Sequence, residues 1–276
     1  MEGIHMVFAV SLLIGLLAAA LGSLVGLGGG IILVPSLLIL GSFWDAFSWA
    51  TPQAIVGVSV IFMIFTGLTS TLTYMKSGRV DYKSGLIFLA GGMPGAILGS
   101  FLNRFISGDG FSLYFGILVL LVFFMFFVKR KERELINPKG IIVTKEINGT
   151  TYTYSFRFMA AFVLSLFVGL LSGMFGIGGG SFMVPAMILL FGFPAHIAVA
   201  TSMLMVFFLS IVSTVMHISL GHVEWNVVWA FIPGAIIGGF LGAKINQMLK
   251  GNTVVWILRI MLVLVAVRLI WDGLSS

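Results

Sequence analysis

Gly26-Leu27-Gly28-Gly29-Gly30, followed by Val34-Pro35, and Gly176-Ile177-Gly178-Gly179-Gly180, followed by Val184-Pro185, are two copies of one phrase. Both copies interrupt apolar sequence that would otherwise run on as helix. Glycine turns the backbone through positive φ at no steric cost, so three in a row end a helix and let another begin. In lipid such a break leaves N–H and C=O groups that no water can satisfy, and it persists only where protein or a polar cavity accepts them.

Composition places the chain in a membrane. Hydrophobic residues make up 59% and charged residues 9%, with a mean hydropathy of +1.16, whereas soluble domains carry about 25% charged residues. Apolar runs cover residues 6–25, 30–41, 53–75, 84–103, 111–128, 158–175, 180–191, 195–217, 225–243 and 252–271. Most approach the ~20 residues that a spanning helix needs. Runs 30–41 and 180–191 do not; they read as half-helices of ~18 Å that start at the breaks. The first run lacks a preceding Lys or Arg and a convincing cleavage site, and is expected to be retained as a helix. The absence of cysteine excludes disulfides, thiolate metal sites and cysteine nucleophiles. No basic stripe interleaved with aromatics points to nucleic acid.

The chain is an internal duplication. Residues 26–35 match 176–185 at an offset of 150, and residues 53–82 match 196–225 at an offset of 143. The second block pairs Ser59 with Ser202, Ser70-Thr71 with Ser213-Thr214, Gly78 with Gly221, and Asp81 with Glu224. Pro94-Gly95-Ala96-Ile97 then matches Pro233-Gly234-Ala235-Ile236 at an offset of 139, which suggests insertions in the first half at loops or helix ends. The expected architecture is an all-α polytopic membrane protein of two homologous halves, residues 6–128 and 158–272. Each half has about four spanning helices plus one short glycine-interrupted half-helix.

Residues 129–157 form the aqueous linker and start with the charged run Lys129 to Glu134. The positive-inside rule makes this side cytoplasmic. Asn148-Gly149, between segments rich in β-branched and aromatic residues, predicts a small hairpin there. Inverted halves place loops 76–83, 129–157 and 244–250 inside and leave only Arg104 and Arg268 outside, a slightly better charge distribution than parallel halves give.

Backbone N–H groups of Gly28, Gly29 and Gly30, and of Gly178, Gly179 and Gly180, are the candidate ligands for a small anion, with each half-helix N-terminus adding about half a positive charge. The plain alternative is close helix crossing, as expected at Gly22/Gly26, Gly95/Gly99 and Gly234/Gly238. Ser59, Thr201 and Ser202 follow as hydroxyl donors, set against self-capping of their own helix. His196 and His217 are candidate gating residues or interface anchors, and Arg259 is an intramembrane charge that either attracts an anion or snorkels. His217, His222 and Glu224 make a poor metal site, so no metal and no cofactor is expected. All nine acidic residues fall in loops or at helix ends, which disfavours carboxylate-borne proton coupling.

The two Gly-x-Gly-Gly-Gly motifs with Pro35 and Pro185, Ala200-Thr201-Ser202, and the Pro-Gly-Ala blocks at 94 and 233 together resemble the TauE/SafE sulfite exporter family across nearly the whole chain. The resemblance implies a multi-pass permease of the cell membrane. Its implied substrates are small sulfur-containing anions such as sulfite, sulfoacetate or related sulfonates, moved by alternating access. The first half reads Gly57-Val58-Ser59, without the threonine of its counterpart. A membrane-embedded enzyme or a non-transporting membrane subunit is the competing class, but no nucleophile and base pair or carboxylate dyad is evident. Partners are therefore the anion and the bilayer, and the glycine-faced helices would permit a homodimer.

Overall fold

The computed structural model describes residues 2–106, 108–125, 140–147, 149–257 and 259–260. The charged run at 129–134, the turn residue Asn148 and the last apolar run beyond residue 260 lie outside the described residues.

The helices are α1 (Glu2–Val25), α2 (Gly30–Phe43), α3 (Pro52–Lys76), α4 (Tyr82–Asn103), α5 (Gly108–Met125), α6 (Phe158–Phe175), α7 (Gly180–Leu190), α8 (Ala195–Ser219) and α9 (Trp225–Met248). Among the described residues, six are long and apolar enough to cross a membrane: α1 from His5, α3, α4, α6, α8 and α9. The protein is thus a multi-pass, mostly helical membrane protein. Local chemistry sets the boundaries. Thr51 accepts from the N–H of Ala54 ahead of Pro52, and Asp81 accepts from the N–H of Ser84 at the start of α4, the capping that a helix N-terminus needs. Gly29 and Gly179, at φ 91° and 70°, release the chain from one helix into the next.

The short helices begin at Gly30 and Gly180 as expected, but they are unequal, with 14 and 11 residues. A 3-10 turn at Asp45–Phe47 follows α2; α7 leads to α8 without one. The longer helix and the longer connection in the first half together account for the change of offset from 150 to 143. The further drop to 139 is a misreading that the packing corrects. A Cβ placed on Gly91, Gly95 or Gly99 would strike the carbonyls of Phe162, Leu166 and Leu170 respectively, and on Gly234, Gly238 or Gly242 those of Leu12, Leu16 and Ala20. Gly95 therefore corresponds to Gly238, still at 143, and the two Pro-Gly-Ala blocks lie one helical turn apart in the fold. Small residues repeating every fourth position make such a one-turn slip invisible in sequence.

The same contacts fix helix directions. Residue numbers rise together along α4 with α6 and along α1 with α9, so each pair runs in parallel. Gly57 near the start of α3 meets the carbonyl of His222 just past α8, while Gly67 meets Phe207, so α3 and α8 run in opposite directions.

The linker forms one antiparallel hairpin, β1 (Ile141–Ile147) and β2 (Thr150–Phe156), with Gly149 at φ 76° in the turn. An isolated hairpin is marginal in water, but this one is docked. Tyr154 and Phe156 are buried against Phe88 of α4 and against Phe191 and Phe193 between α7 and α8. Tyr154 Oη donates to Asp81 Oδ2 at 2.7 Å, and Lys145 Nζ donates to the Val80 carbonyl.

Candidate functional site

The two glycine breaks are buried and touch each other. A Cβ on Gly30 would overlap the Gly176 carbonyl and lie 3.0 Å from Ile177 Cα; one on Gly180 would overlap the Gly26 carbonyl and lie 3.1 Å from Leu27 Cα. The first residue of each short helix is thus seated on the opposite break. Met63 Sδ and Val206, which correspond to each other, pack against both Gly28 and Gly178 and close the space between them.

Three corresponding pairs of side chains, two of them crossed between the halves, hold the helix ends that precede the breaks. On α1, Tyr74 Oη donates to the Ser23 carbonyl at 2.9 Å, Asn246 Nδ2 to Leu24 at 2.6 Å, and Ser202 Oγ to Gly26 at 2.8 Å. On α6 the counterparts repeat this: His217 Nε2 meets the Gly173 carbonyl at 3.1 Å, Asn103 Nδ2 donates to Met174 at 2.7 Å, and Ser59 Oγ to Gly176 at 2.7 Å. Every break carbonyl in this set is capped, and Asn246, Ser202, Asn103 and Ser59 reach across from the other half.

The N–H groups are in the opposite condition. The N–H of Gly28 bonds weakly to the Gly22 carbonyl at 3.3 Å and that of Gly180 to the Gly178 carbonyl at 2.8 Å. The N–H groups of Gly29, Gly30, Ile31, Gly179, Ser181 and Phe182 have no acceptor among the described hydrogen bonds. Ser181 Oγ, fully buried in the first turn of α7, also has no partner among the described residues. Two adjacent helix N-termini, with N–H donors to spare and with the carbonyls of Ser23, Leu24, Gly26, Gly173, Met174 and Gly176 capped, present positive potential to anything that enters between them. Sequence reading missed Ser181. Its signal was a polar residue directly after the second glycine triplet, where the first half has Ile31.

The remaining candidates are dispersed. Ser59 and Ser202 are buried beside the breaks, with their hydroxyl protons given to carbonyls, and Thr201 Oγ1 accepts from the Asp81 N–H at 3.0 Å. His196 lies at the hairpin end, its Nδ1 3.3 Å from Arg79 Nη1 and 3.2 Å from Asn246 Oδ1. His217 lies at the far end. Its Nε2 faces a carbonyl and so carries the proton, and its Nδ1 accepts from His222 Nδ1 at 3.1 Å. Partial burial lowers the pKa of His222 from its ordinary value. Arg259 packs over Trp256 at 5.6 Å, and its Nε has no partner among the described residues. Asp81 is at a helix end as expected, yet it is buried under the hairpin. There it accepts from Tyr154 and Ser84 and offsets the burial that lowers the pKa of Lys145. Burial, then the same carboxylate, raises the pKa of Tyr154, which keeps it a donor.

A family model described as sulfite exporter TauE/SafE matches residues 11–269. The chain is 45% identical over 273 residues to the probable membrane transporter protein YunE of Bacillus subtilis, covering 98% of this chain and all of that one. It is 27% identical to a probable membrane transporter protein of Xylella fastidiosa (95% of this chain, 94% of that one), and 27% identical to one of Haemophilus influenzae (90% and 88%). No solved structure matches it.

Proposed function

The chain belongs to the sulfite exporter TauE/SafE family of membrane proteins, and from that premise we propose that it carries small sulfur-containing anions, such as sulfite or organosulfonates, across the cell membrane. The observation that carries this reading is the pair of touching helix N-termini with unpartnered N–H groups beside the unpartnered Ser181 hydroxyl. A buried N–H without an acceptor costs on the order of 1–3 kcal/mol, and an oxyanion seated between the breaks would recover that cost at several donors at once. A tetrahedral or pyramidal oxyanion suits donors converging from two sides. The atoms that face the break glycines come from apolar side chains, serines and backbone, and the buried carboxylate of Asp81, whose N–H meets Thr201, is engaged by Tyr154 and Ser84.

The two halves are proposed to be inverted repeats. In support, corresponding helices α3 and α8 run antiparallel, while each half lends its α4 or α9 to the first helix of the other. Transport would then alternate between two pseudo-equivalent conformations about the fixed breaks. Met63, flexible and packed on both breaks, is the side chain whose displacement would open the space that the anion occupies.

Sulfite or sulfonate flux in proteoliposomes containing the purified protein alone tests the proposal. Wild type is expected to transport, and Gly29→Val, Gly179→Val and Ser181→Ala to reduce flux, the serine change through a raised KM. Absence of flux by pure, folded wild type would favour a non-transporting or catalytic role. Flux indifferent to all three changes would remove the breaks as the binding site.

A further inference from the structure

The two ends of the molecule are built from corresponding residues, but they place their positive charge differently. At the hairpin end, Arg79 stands between α3 and α4; its counterpart at the far end, at the offset of 143, is His222. Arg79 is half-buried, and its polar contacts are all neutral: Nη1 with His196 Nδ1 and Asn246 Oδ1 at 3.3 Å each, and Nη2 donating to the Gln247 carbonyl at 3.1 Å. Asp81, two residues away, is occupied by Tyr154 and Ser84 and faces the Lys145 charge instead. Among the described residues no carboxylate lies within ion-pair distance of Arg79. A guanidinium held at a protein surface with long neutral contacts and no counter-ion has donors and charge left for a ligand.

Its position suits that role. Asn246, which Arg79 touches, donates to the Leu24 carbonyl two residues ahead of the first break, and Tyr74 at the end of α3 holds Ser23. The guanidinium therefore lies one side chain away from the helix end that feeds the glycine triplet. At the far end the corresponding residues are His222, Gln53, Asn103 and Arg104: Gln53 Nε2 donates to the Ile106 carbonyl and His222 to His217, while Arg104, the counterpart of Gln247, is exposed and lies over the rings of Phe101 and Phe105 at 3.7 and 4.5 Å.

We infer that Arg79, with His196 and Asn246 beside it, is a capture site for small oxyanions at the hairpin-end mouth, so that the transporter takes up its anion with higher affinity from that face than from the other. The inference rests on anion transport as proposed above and adds a direction to it.

Because the chain has no cysteine, Gly149→Cys in the hairpin turn reports its own sidedness to a membrane-impermeant maleimide. Sulfite uptake is then measured from each face, in inverted vesicles and in spheroplasts. Arg79→Gln is expected to raise KM from the hairpin face by about tenfold or more and to leave KM from the other face near wild type. Arg79→Lys is expected to recover most of the loss, and His222→Arg to lower KM from the far face. If Arg79→Gln does not fold, the salt dependence of wild-type KM serves instead, and is expected to be steeper from the hairpin face. Equal KM changes on both faces, no change on either, or equal salt dependence would overturn the capture site while leaving transport standing. Wild type without flux would overturn both.

Discussion

Alanine at Gly30 or Gly180 gives the sharpest steric test of the interlocked breaks. Both residues have helical rather than left-handed backbone, as the first residues of α2 and α7. On propensity alone, Gly→Ala there should stabilise by about 0.5–1 kcal/mol. The structure reverses the sign. At Gly30 the new methyl would overlap the Gly176 carbonyl and lie 2.9 Å from Met63 Sδ, against an ordinary contact of 3.4–4 Å. Met63 can turn aside, but the carbonyl cannot: it is backbone, fixed by Ser59 at 2.7 Å. Relief requires the two breaks to separate by a substantial part of an ångström, and overpacking of this kind costs about 1–3 kcal/mol. Net destabilisation of about 1–2 kcal/mol is therefore expected for each variant, with loss of flux. Gly251→Ala, where the added carbon meets only ordinary contacts at 3.7 Å, controls for propensity. Thermal unfolding in detergent by intrinsic fluorescence reads the difference. Gly30→Ala and Gly180→Ala melting at or above wild type, as Gly251→Ala should, would refute the interlock.

Ser59→Ala removes the one donor to the Gly176 carbonyl among the described residues and should cost about 0.6 kcal/mol, and at most about 1.7, as for hydrogen bonds between membrane helices. Ser202→Ala should cost less, because its one proton is divided between the Gly26 and Val199 carbonyls at 2.8 Å each; equal losses in thermal unfolding would contradict that ranking. Tyr154→Phe deprives the buried Asp81 carboxylate of a donor, and amide exchange across residues 141–147 and 149–156 should speed up about tenfold or more, whereas unchanged protection would mean that the aromatic cluster alone docks the hairpin. Burial lowers the pKa of His222 in the folded protein, so the unfolded chain binds more protons than the folded one as pH falls through ~6.5. Its contribution to stability is complete above that value and is lost as pH drops toward the folded pKa. Thermal stability should therefore fall between pH 7.5 and 5.5 by less in His222→Gln than in wild type, and parallel curves would dismiss the histidine contact.

Much of this fold is written locally, which is why the sequence reveals it. Glycine triplets end helices by backbone freedom alone, so the starts at Gly30 and Gly180 are legible, and Asn148-Gly149 marks the hairpin for the same reason. Relations between helices are not written locally. The slip between Pro94 and Pro233 passed unnoticed because Gly91, Gly95 and Gly99 look alike when displaced by one turn, and only the facing carbonyls of α6 and α1 set the register. Ser59 and Ser202 were legible as a polar pair near the breaks, but the carbonyl that each reaches belongs to the other half, over a hundred residues away. Arg79 looked like an ordinary loop cation. Its lack of a counter-ion follows from where the hairpin places Tyr154 and Lys145, and no sequence pattern encodes that. Ser181 could have been found by asking which polar residue follows a break directly.

The central claim is that an oxyanion sits where the two breaks touch. The most direct measurement is an experimental structure of the full chain with selenite, an electron-dense stand-in for sulfite, located by anomalous scattering at the selenium edge in crystals whose methionines carry sulfur. The expected result is one anomalous peak at the junction, within hydrogen-bond reach of N–H groups from both Gly29–Ile31 and Gly179–Phe182 and of Ser181 Oγ, with Met63 displaced. A saturating anion found with the junction still closed by Met63 and Val206, and anomalous density elsewhere only, would contradict it.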